Sequence, residues 1–333
     1  MTRCSTWLAG ALIGGAAALG APQVLAAEVT LKAISAWPKT FPFVAESFLP
    51  YVEGANKAGK GQFKLNYIGG PEISKAAAQP EGFKAGLFDV MFTAMSYHRG
   101  IIPEVDALSG NTTAPWIARA NGGLAAFNEA VSAKINGTVL VWNAGVSFNL
   151  YLRREPKMQS DGLVDLTGFK MRSVPTYDAF LKALGATTVT IHLPEIHSAL
   201  QRGIVDGFAF PELWTRRFGY AKFIKYRIYP NFMQLDTVIA INNDAFAKLS
   251  RQGKDTLVGY STRFEIDDYF SWKPKIAKER EILNGEFGQK EVHLDAKAGE
   301  KYRALANKLV QDRLAGLGTP LAKKLGRLYH GRK

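Results

Sequence analysis

Apolar and polar positions alternate most clearly over residues 168–214, where they predict strand, helix, strand, helix and strand in turn. Residues 168–172 form the first strand, which ends in Arg172. The following helix begins at Pro175 and stops at Gly185, because proline suits the first helical turn and glycine suits the left-handed position after the last. Strands and helices that alternate in this way build a mostly parallel sheet covered by helices.

The end of this stretch predicts where a ligand would bind. A β-branched strand at residues 187–191 and a helix that ends at Gly203 lead into a continuous apolar strand at residues 204–210, which is typical of a buried strand. Ligands of such sheets lie beyond the carboxyl ends of the strands. Arg172 and residues 208–210 would both lie at that edge.

One helix-to-strand junction occurs twice in the chain. Residues 86–89 (GLFD) match residues 203–206 (GIVD) position by position, each between a predicted helix and an apolar strand. Such a junction also recurs by chance in α/β proteins, so the four residues alone leave both explanations open. Their placement in two halves of a long chain favours two lobes of similar build.

The remaining apolar pattern predicts how the two lobes are connected. A strong strand at residues 238–242 is expected to return to the first lobe, which makes both lobes discontinuous. A helical pattern that starts at residue 244 should break near Pro274, because proline interrupts helix hydrogen bonding. The predicted organisation is a signal peptide at residues 1–26, lobe I at residues 27–146 with 238–280, and lobe II at residues 147–237 with 281–333.

Composition and charge limit the class of protein. The chain has 333 residues, of which 47% are hydrophobic and 21% charged, so it is expected to fold into about two globular domains. Its net charge of +13 is spread along the sequence, which is typical of a solvated surface. No helix-turn-helix, zinc-finger or RNA-binding signature accompanies the charge, so nucleic acid is not an expected partner.

The N-terminus has the pattern of a secretory signal peptide. Arg3 precedes an apolar run over residues 7–19, and Val24-Leu25-Ala26 predicts cleavage after Ala26. Cleavage there would remove Cys4, the chain's single cysteine, and would leave no disulfide, thiol nucleophile or thiolate metal ligand. An exported, cysteine-free protein of this size is predicted to reside in a bacterial periplasm.

Three segments resemble the solute-binding proteins of tripartite ATP-independent periplasmic (TRAP) transporters, the DctP family. They are residues 165–172 (DLTGFKMR), 199–207 (ALQRGIVDG) and 68–72 (IGGPE). The resemblance implies an α/β fold of two lobes, each a mixed sheet flanked by helices, with a ligand cleft between them. It also implies a monomeric receptor without a cofactor that closes on an organic acid and delivers it to DctQ-like and DctM-like membrane subunits.

Arg172 is the principal ligand-binding candidate. Members of the family use the arginine at this position to bind the ligand carboxylate. Independently of the family, a guanidinium group offers a rigid fork of donors that matches two carboxylate oxygens. The alternative is a strand-end arginine that forms a structural salt bridge.

The other predicted contacts favour an apolar ligand. Asn149 lies where some members carry a second arginine, and the segment after the 204–207 motif, FAFPELW, is strongly apolar. The hypothesis is therefore a monocarboxylate with an apolar or aromatic body, such as a 2-oxo or 2-hydroxy acid. Glu72 would either line the cleft or accept hydrogen bonds from backbone amides. The aromatic candidates, each of which is equally well explained as core packing, are Trp37, Tyr97, Phe210 and Trp214.

Other functions are less well supported by the sequence. His192, Glu195 and His197 do not have the spacing of the helical zinc motif, so no metal site is expected. A secreted periplasmic enzyme acting on an anionic small molecule is the alternative function, although the nucleophile motif Gly-x-Ser-x-Gly is absent from the sequence. A two-lobed receptor for an ATP-driven importer is a third interpretation. The expectation is a binding protein and not an enzyme.

Overall fold

The chain is described by a computed structural model that covers Met1, residues 28–191 and residues 193–330. The predicted signal peptide and its Cys4 therefore lie outside the described residues, apart from Met1, and so does His192. The strands of the described part are β1 Val29–Ser35, β2 Phe63–Gly69, β3 Val90–Ala94, β4 Gly137–Asn143, β5 Ser147–Leu152, β6 Lys157–Met158, β7 Val164–Asp165, β8 Lys170–Ser173, β9 Thr187–Thr190, β10 Gly207–Pro211, β11 Tyr226–Gln234, β12 Thr237–Asn242 and β13 Lys290–His293.

Ten α-helices cover the sheets in the described part of the chain. Several of them begin with proline at one of the first two positions, where its missing N–H costs nothing. They are α1 Leu49–Ala58, α2 Gln79–Lys84, α3 Pro115–Ala120, α4 Gly123–Ile135, α5 Asp178–Ala183, α6 Ile196–Gln201, α7 Asn243–Ala247, α8 Arg251–Gly285, α9 Ala296–Gly316 and α10 Pro320–His330. None of the described helices is long and apolar enough to cross a membrane.

Two mixed sheets form the framework, as the α/β fold prediction requires. The first has the strand order β2-β1-β3-β12-β4, and the second has the order β13-β11-β5-β10-β8-β9. In the first sheet β1, β2 and β3 run parallel, while β12 pairs antiparallel with both β3 and β4. The late strand β12 thus returns to the first sheet, as its apolar pattern predicted. In the second sheet β8, β9 and β10 are parallel and β5 is antiparallel to β10.

The repeated junction has the same structure in both copies. Gly86 and Gly203 have positive φ angles of 73° and 67°, and the next residue in each copy donates back to a carbonyl five residues earlier, which closes the helix. Asp89 Oδ2 then accepts from the amide of Lys32 at 2.7 Å, and Asp206 Oδ2 accepts from the amide of Lys170 at 2.9 Å. Each aspartate therefore ties its junction to the neighbouring strand.

Helix α8 does not break at Pro274, contrary to the sequence-based expectation. It runs without interruption for 35 residues, with Pro274 on its exposed side. Because Pro274 has no N–H, the carbonyl of Phe270 loses its helical donor, and on this exposed side of the helix that carbonyl can bind water instead. Apolar side chains on both sides of the proline, including Leu257, Trp272 and Leu283, are fully buried and hold the helix together.

The last helix packs against the first sheet's layer and not the second's. Leu325 and Tyr329 of α10 are buried in the same cluster as Phe127 and Trp142, and the Trp142 and Tyr329 rings lie 5.9 Å apart. The sequence analysis assigned this helix to lobe II, together with the rest of residues 281–333. The strongly amphipathic face of α10 instead packs against α4, so for this helix the packing differs from the prediction. The other lobe boundaries stay a prediction.

Candidate functional site

A cavity lies between the two sheets, at the carboxyl ends of β1, β3, β8 and β10. Its inner part, here called the chamber, has a volume of about 120 Å³ and is lined by residues that include Trp37, Tyr97, Phe148, Arg172, Phe210 and Asp236. Its outer part, here called the groove, has a volume of about 980 Å³ and is lined by residues that include Pro38, Pro71, Arg99, Arg172, His197 and Tyr220. Both sheets therefore contribute side chains to one site, at the edge where such folds bind ligands.

Arg172 stands at the boundary of chamber and groove. It lies in β8 opposite Phe208 of β10, and only 7% of its surface is exposed. Nε donates to the carbonyl of Ile191 at 2.9 Å, and Nη1 donates to the Tyr177 hydroxyl at 2.6 Å. Among the described residues no carboxylate lies within ion-pair distance, and none accepts from Nη2. The guanidinium group is thus oriented by neutral partners, and the structural salt bridge considered from the sequence is not formed with any described residue.

Arg99 gives a useful contrast within the same groove. Its Nη2 forms an ion pair with Asp106 at 2.6 Å, and Asp106 pairs in turn with Arg313 at 3.0 Å. The charge of Arg99 is therefore already balanced by a buried carboxylate. Of the two described arginines that line the groove, Arg172 is the one without a carboxylate partner.

Aromatic side chains from both sheets form the walls of the chamber. Trp37 stacks on Phe41 at 5.4 Å and donates from Nε1 to the Tyr97 hydroxyl at 3.3 Å. From the other side Trp214 lies 5.5 Å from Phe43 and 6.5 Å from Phe41. Because these rings exclude water, a charge pair formed inside the chamber would be only weakly screened.

Trp214 adopts a backbone conformation that is unusual for a bulky residue. Its φ angle is 73°, in the left-handed region. The conformation is held by packing, since the indole contacts Trp272 of α8 at 5.6 Å as well as the two phenylalanines of the opposite wall. Strained residues of this kind cluster at ligand-binding sites.

Asp236 and Tyr177 are among the polar chamber residues that were not identified from the sequence. Asp236 lies between β11 and β12, and its Oδ2 accepts from the amide of Ser96 at 2.8 Å and from the Ser109 hydroxyl at 3.0 Å. Burial raises the pKa of Asp236 above its usual value, although these hydrogen bonds act in the opposite direction. Tyr177 donates to the carbonyl of Ala209 at 3.2 Å, and burial raises the pKa of its hydroxyl. Its position just before the returning strand β12 was the one feature of the sequence that could have pointed to Asp236 as a site residue.

Five of the seven predicted contact residues line the cavity: Trp37, Tyr97, Arg172, Phe210 and Trp214. Asn149 lies elsewhere, because its Nδ2 donates to the carbonyl of Ile228 at 2.8 Å within the sheet. Glu72 is exposed, and its Oε1 accepts from the amide of Gly70 at 2.7 Å. The ligand role predicted for Asn149 is therefore not supported by its position, and Glu72 takes the backbone-binding alternative.

No group of three or more histidine, cysteine, aspartate or glutamate side chains within the described residues could hold a metal ion. His197 lines the groove, where its ring lies 5.3 Å from Phe223. Because His192 is not among the described residues, the spacing of the two histidines is not tested.

Residues 157–311, which include β8, Arg172 and β10, match the family DctP, described as bacterial extracellular solute-binding protein, family 7. Solved structures match nearly the whole chain. The pyroglutamic-acid-binding receptor DctP7 of Bordetella pertussis has a TM-score of 0.71 at 14% identity, over 90% of this chain and 99% of that one.

Two further structures are similar over the same extent. A TRAP periplasmic solute-binding protein of Ochrobactrum anthropi, with its C-terminus bound in the ligand pocket, has a TM-score of 0.77 at 16% identity, over 92% of this chain and 96% of that one. A marine metagenome protein specific for aromatic acid ligands has a TM-score of 0.70 at 19% identity, over 91% and 99%. The resemblance predicted from the three sequence segments is confirmed: residues 157–311 match the DctP family, and the fold over about 90% of the chain is similar to that of TRAP solute-binding proteins.

Proposed function

We propose that this protein is a periplasmic receptor that captures an organic acid and delivers it to a TRAP-type membrane transporter. The preferred ligand is a monocarboxylate with an apolar body. The observation that carries the proposal is Arg172, a buried arginine at the chamber whose hydrogen-bond partners are all neutral. An unpaired buried charge is costly, and a ligand carboxylate would supply the missing partner.

The ligands of similar structures support the carboxylate class. The receptor of Bordetella pertussis binds pyroglutamic acid, a protein of Sulfitobacter binds galacturonate, and the marine protein binds metahydroxyphenylacetate. All three ligands are carboxylic acids, although they differ in size and polarity. The walls of this chamber favour the less polar end of that range, because Phe148, Phe210 and Trp214 offer no charged partner for a second acid group.

Binding by closure of two lobes follows from the placement of the site. Two chain segments cross between the sheets side by side, at residues 144–146 and 235–236, and Leu235 donates to the carbonyl of Val146 at 3.0 Å. These paired crossings are where a hinge would bend. A ligand that contacts both walls would shift the population toward the closed form. The closed receptor, acting as a monomer, would then dock on DctQ-like and DctM-like subunits.

The central test is ligand binding by the chain that begins at Ala27. A thermal-shift screen of organic acids identifies candidates, and calorimetry then compares wild type with Arg172→Ala. We expect the variant to bind at least about 2 kcal/mol more weakly, the usual scale for a lost hydrogen bond to a charged group. Arg172→Lys should fall between the two, because it keeps the charge but loses the planar fork.

Arg202→Ala is the matched control, since it also removes one positive charge from the second sheet's layer but is exposed and does not line the chamber. It should bind like wild type. Retained wild-type affinity in Arg172→Ala would overturn the role of Arg172. A screen in which sugar acids or C4-dicarboxylates outcompete apolar monocarboxylates would overturn the monocarboxylate preference.

A further inference from the structure

The chamber contains a second charged group besides Arg172. Among the described residues that line it, Arg172 and Asp236 are the only arginine, lysine, aspartate or glutamate. Asp236 is 5% exposed, and no described cation lies within ion-pair distance of its carboxylate. A small apolar chamber of about 120 Å³ thus holds one guanidinium group and one carboxyl group that do not pair with each other.

The carboxylate of Asp236 is held in a defined orientation. Its Oδ2 accepts from the Ser96 amide and from the Ser109 hydroxyl, and its backbone carbonyl accepts from the amide of Met95 at 3.0 Å. All of these partners belong to the first sheet's layer. The bonds from the Ser96 amide and the Ser109 hydroxyl both reach Oδ2, and the Ser96 hydroxyl adds a further interaction with the carboxyl group. A buried carboxylate that is positioned on one oxygen can receive a further donor on the other.

We propose that Asp236 is a specificity-determining residue that accepts a hydrogen bond from the ligand. The preferred ligands are therefore carboxylic acids that also carry a hydroxyl or N–H donor, and not 2-oxo acids. This inference rests on the proposed function, because it assumes that Arg172 holds the ligand carboxylate. Arg172 would then bind the acid group of the ligand, and Asp236 would accept a hydrogen bond from its donor group.

The physical basis is the cost of leaving Asp236 without a ligand donor. An acid that enters the chamber removes the water around the carboxylate, and it replaces that water only if it brings a donor. A 2-oxo group has only oxygen lone pairs to offer, so it cannot donate a hydrogen bond to the carboxyl oxygen of Asp236. Sites built to bind a substrate donor discriminate strongly against analogues that lack it.

The test uses acids that differ in a single group. At C2 the series is 3-phenyllactate, phenylalanine, 3-phenylpropanoate and phenylpyruvate, which carry hydroxyl, ammonium, hydrogen and oxo groups respectively. At the far end of the ligand the pair is 3-hydroxyphenylacetate and phenylacetate. Calorimetry of the chain from Ala27 measures the affinity for each acid. In the C2 series or in the far-end pair, acids that carry a donor should bind at least tenfold more tightly than acids that lack one.

The variant Asp236→Asn then tests whether Asp236 causes the preference for donor-bearing acids. The variant keeps the side-chain shape but replaces one acceptor oxygen with a donor, so the preference should shrink several-fold and phenylpyruvate should bind relatively better. Ser109→Ala is the comparison variant, because it removes one bond to Asp236 without touching the chamber. It should reduce the preference less. Unchanged binding of 3-phenylpropanoate and phenylacetate, which carry neither a donor nor an oxo group, would show that Asp236→Asn is folded.

The two proposals fail differently. If the acids bind in an Arg172-dependent way but without any donor preference, or if Asp236→Asn keeps the full preference, the role of Asp236 is overturned while the proposed function stands. If Arg172→Ala binds the acids as well as wild type does, the role of Arg172 is overturned and that of Asp236 falls with it. If wild type binds no organic acid at all, the proposed function itself is overturned.

Discussion

Two arginines of the second sheet are buried, and they differ in what faces the guanidinium group. Arg227 in β11 is 1% exposed and lies opposite Glu291 of β13, with which Nη2 forms an ion pair at 3.1 Å. Arg172 in β8 faces the chamber and has no carboxylate partner among the described residues. Each arginine donates from Nη1 to a tyrosine hydroxyl, Tyr229 at 3.2 Å for the first and Tyr177 at 2.6 Å for the second.

The difference fits a structural role for Arg227 and the ligand-binding role proposed for Arg172. A buried charge that has its counterion within the protein contributes to the fold, and removing that counterion is strongly destabilising. A buried charge held only by neutral groups contributes nothing comparable, and it can take a partner that arrives from outside. We therefore expect changes around Arg227 to alter stability and changes around Arg172 to alter binding.

The largest effect is expected for Glu291→Gln. This change leaves Arg227 buried without its counterion, and it should lower the free energy of unfolding by about 3 kcal/mol, within the range for broken buried pairs. Ligand affinity should not change, because the pair lies outside the chamber. Urea denaturation measures the first quantity and calorimetry the second.

A double variant provides the control for this prediction. In the Glu291→Gln background, Arg227→Met removes the uncompensated buried cation, so part of the lost stability should return. A Glu291→Gln variant as stable as wild type would show that the pair does not stabilise the fold. A variant that lost affinity while keeping its stability would contradict the division of roles between the two arginines.

Local patterns in the sequence were sufficient for the framework and for Arg172. The two junctions at residues 86–89 and 203–206 were recognisable because a helix end, a glycine and an aspartate follow one another within a few residues. The family motif around Arg172 is equally local. Its place at the end of a parallel strand next to β10 followed from the general rule for ligand sites in such sheets.

The features that the sequence did not predict depend on contacts between distant segments. Asp236 belongs to the site because it meets Ser96 and Ser109, which lie more than a hundred positions earlier. Asn149 was placed in the site by counting from a motif, but its amide binds a strand carbonyl at Ile228. The continuation of α8 through Pro274 reflects tertiary packing, which outweighs the local cost of proline at that position.

A smaller effect is expected in the pH dependence of stability. Burial tends to raise the pKa of Glu291, but hydrogen bonds from Arg280, Asn284 and His293 together with the charge of Arg227 lower it to about 2. An acid whose pKa falls on folding stabilises the fold above its unfolded value near 4.5 and loses that contribution as the pH falls toward 2. Because the glutamate is partly exposed, we expect a loss of about 1–2 kcal/mol over this window.

The measurement is urea denaturation between pH 6 and pH 3 on wild type and on Glu291→Gln. The stability difference between them should shrink as the pH falls, since the variant has no carboxyl group to protonate. A difference that stays constant over this window would mean that Glu291 does not titrate as its contacts indicate.

The smallest effects are expected at the two tyrosines, which give a matched comparison of the two arginines. Tyr177→Phe removes the hydroxyl that orients Arg172, so it should weaken ligand binding by about 0.5–1.5 kcal/mol, the usual net contribution of one hydrogen bond. Tyr229→Phe removes the corresponding hydroxyl from Arg227 and should leave affinity unchanged while lowering stability by a similar amount. Calorimetry measures the ligand affinity of both variants, and urea denaturation measures the stability of both. Equal affinities in the two variants would mean that the orientation of Arg172 does not depend on Tyr177.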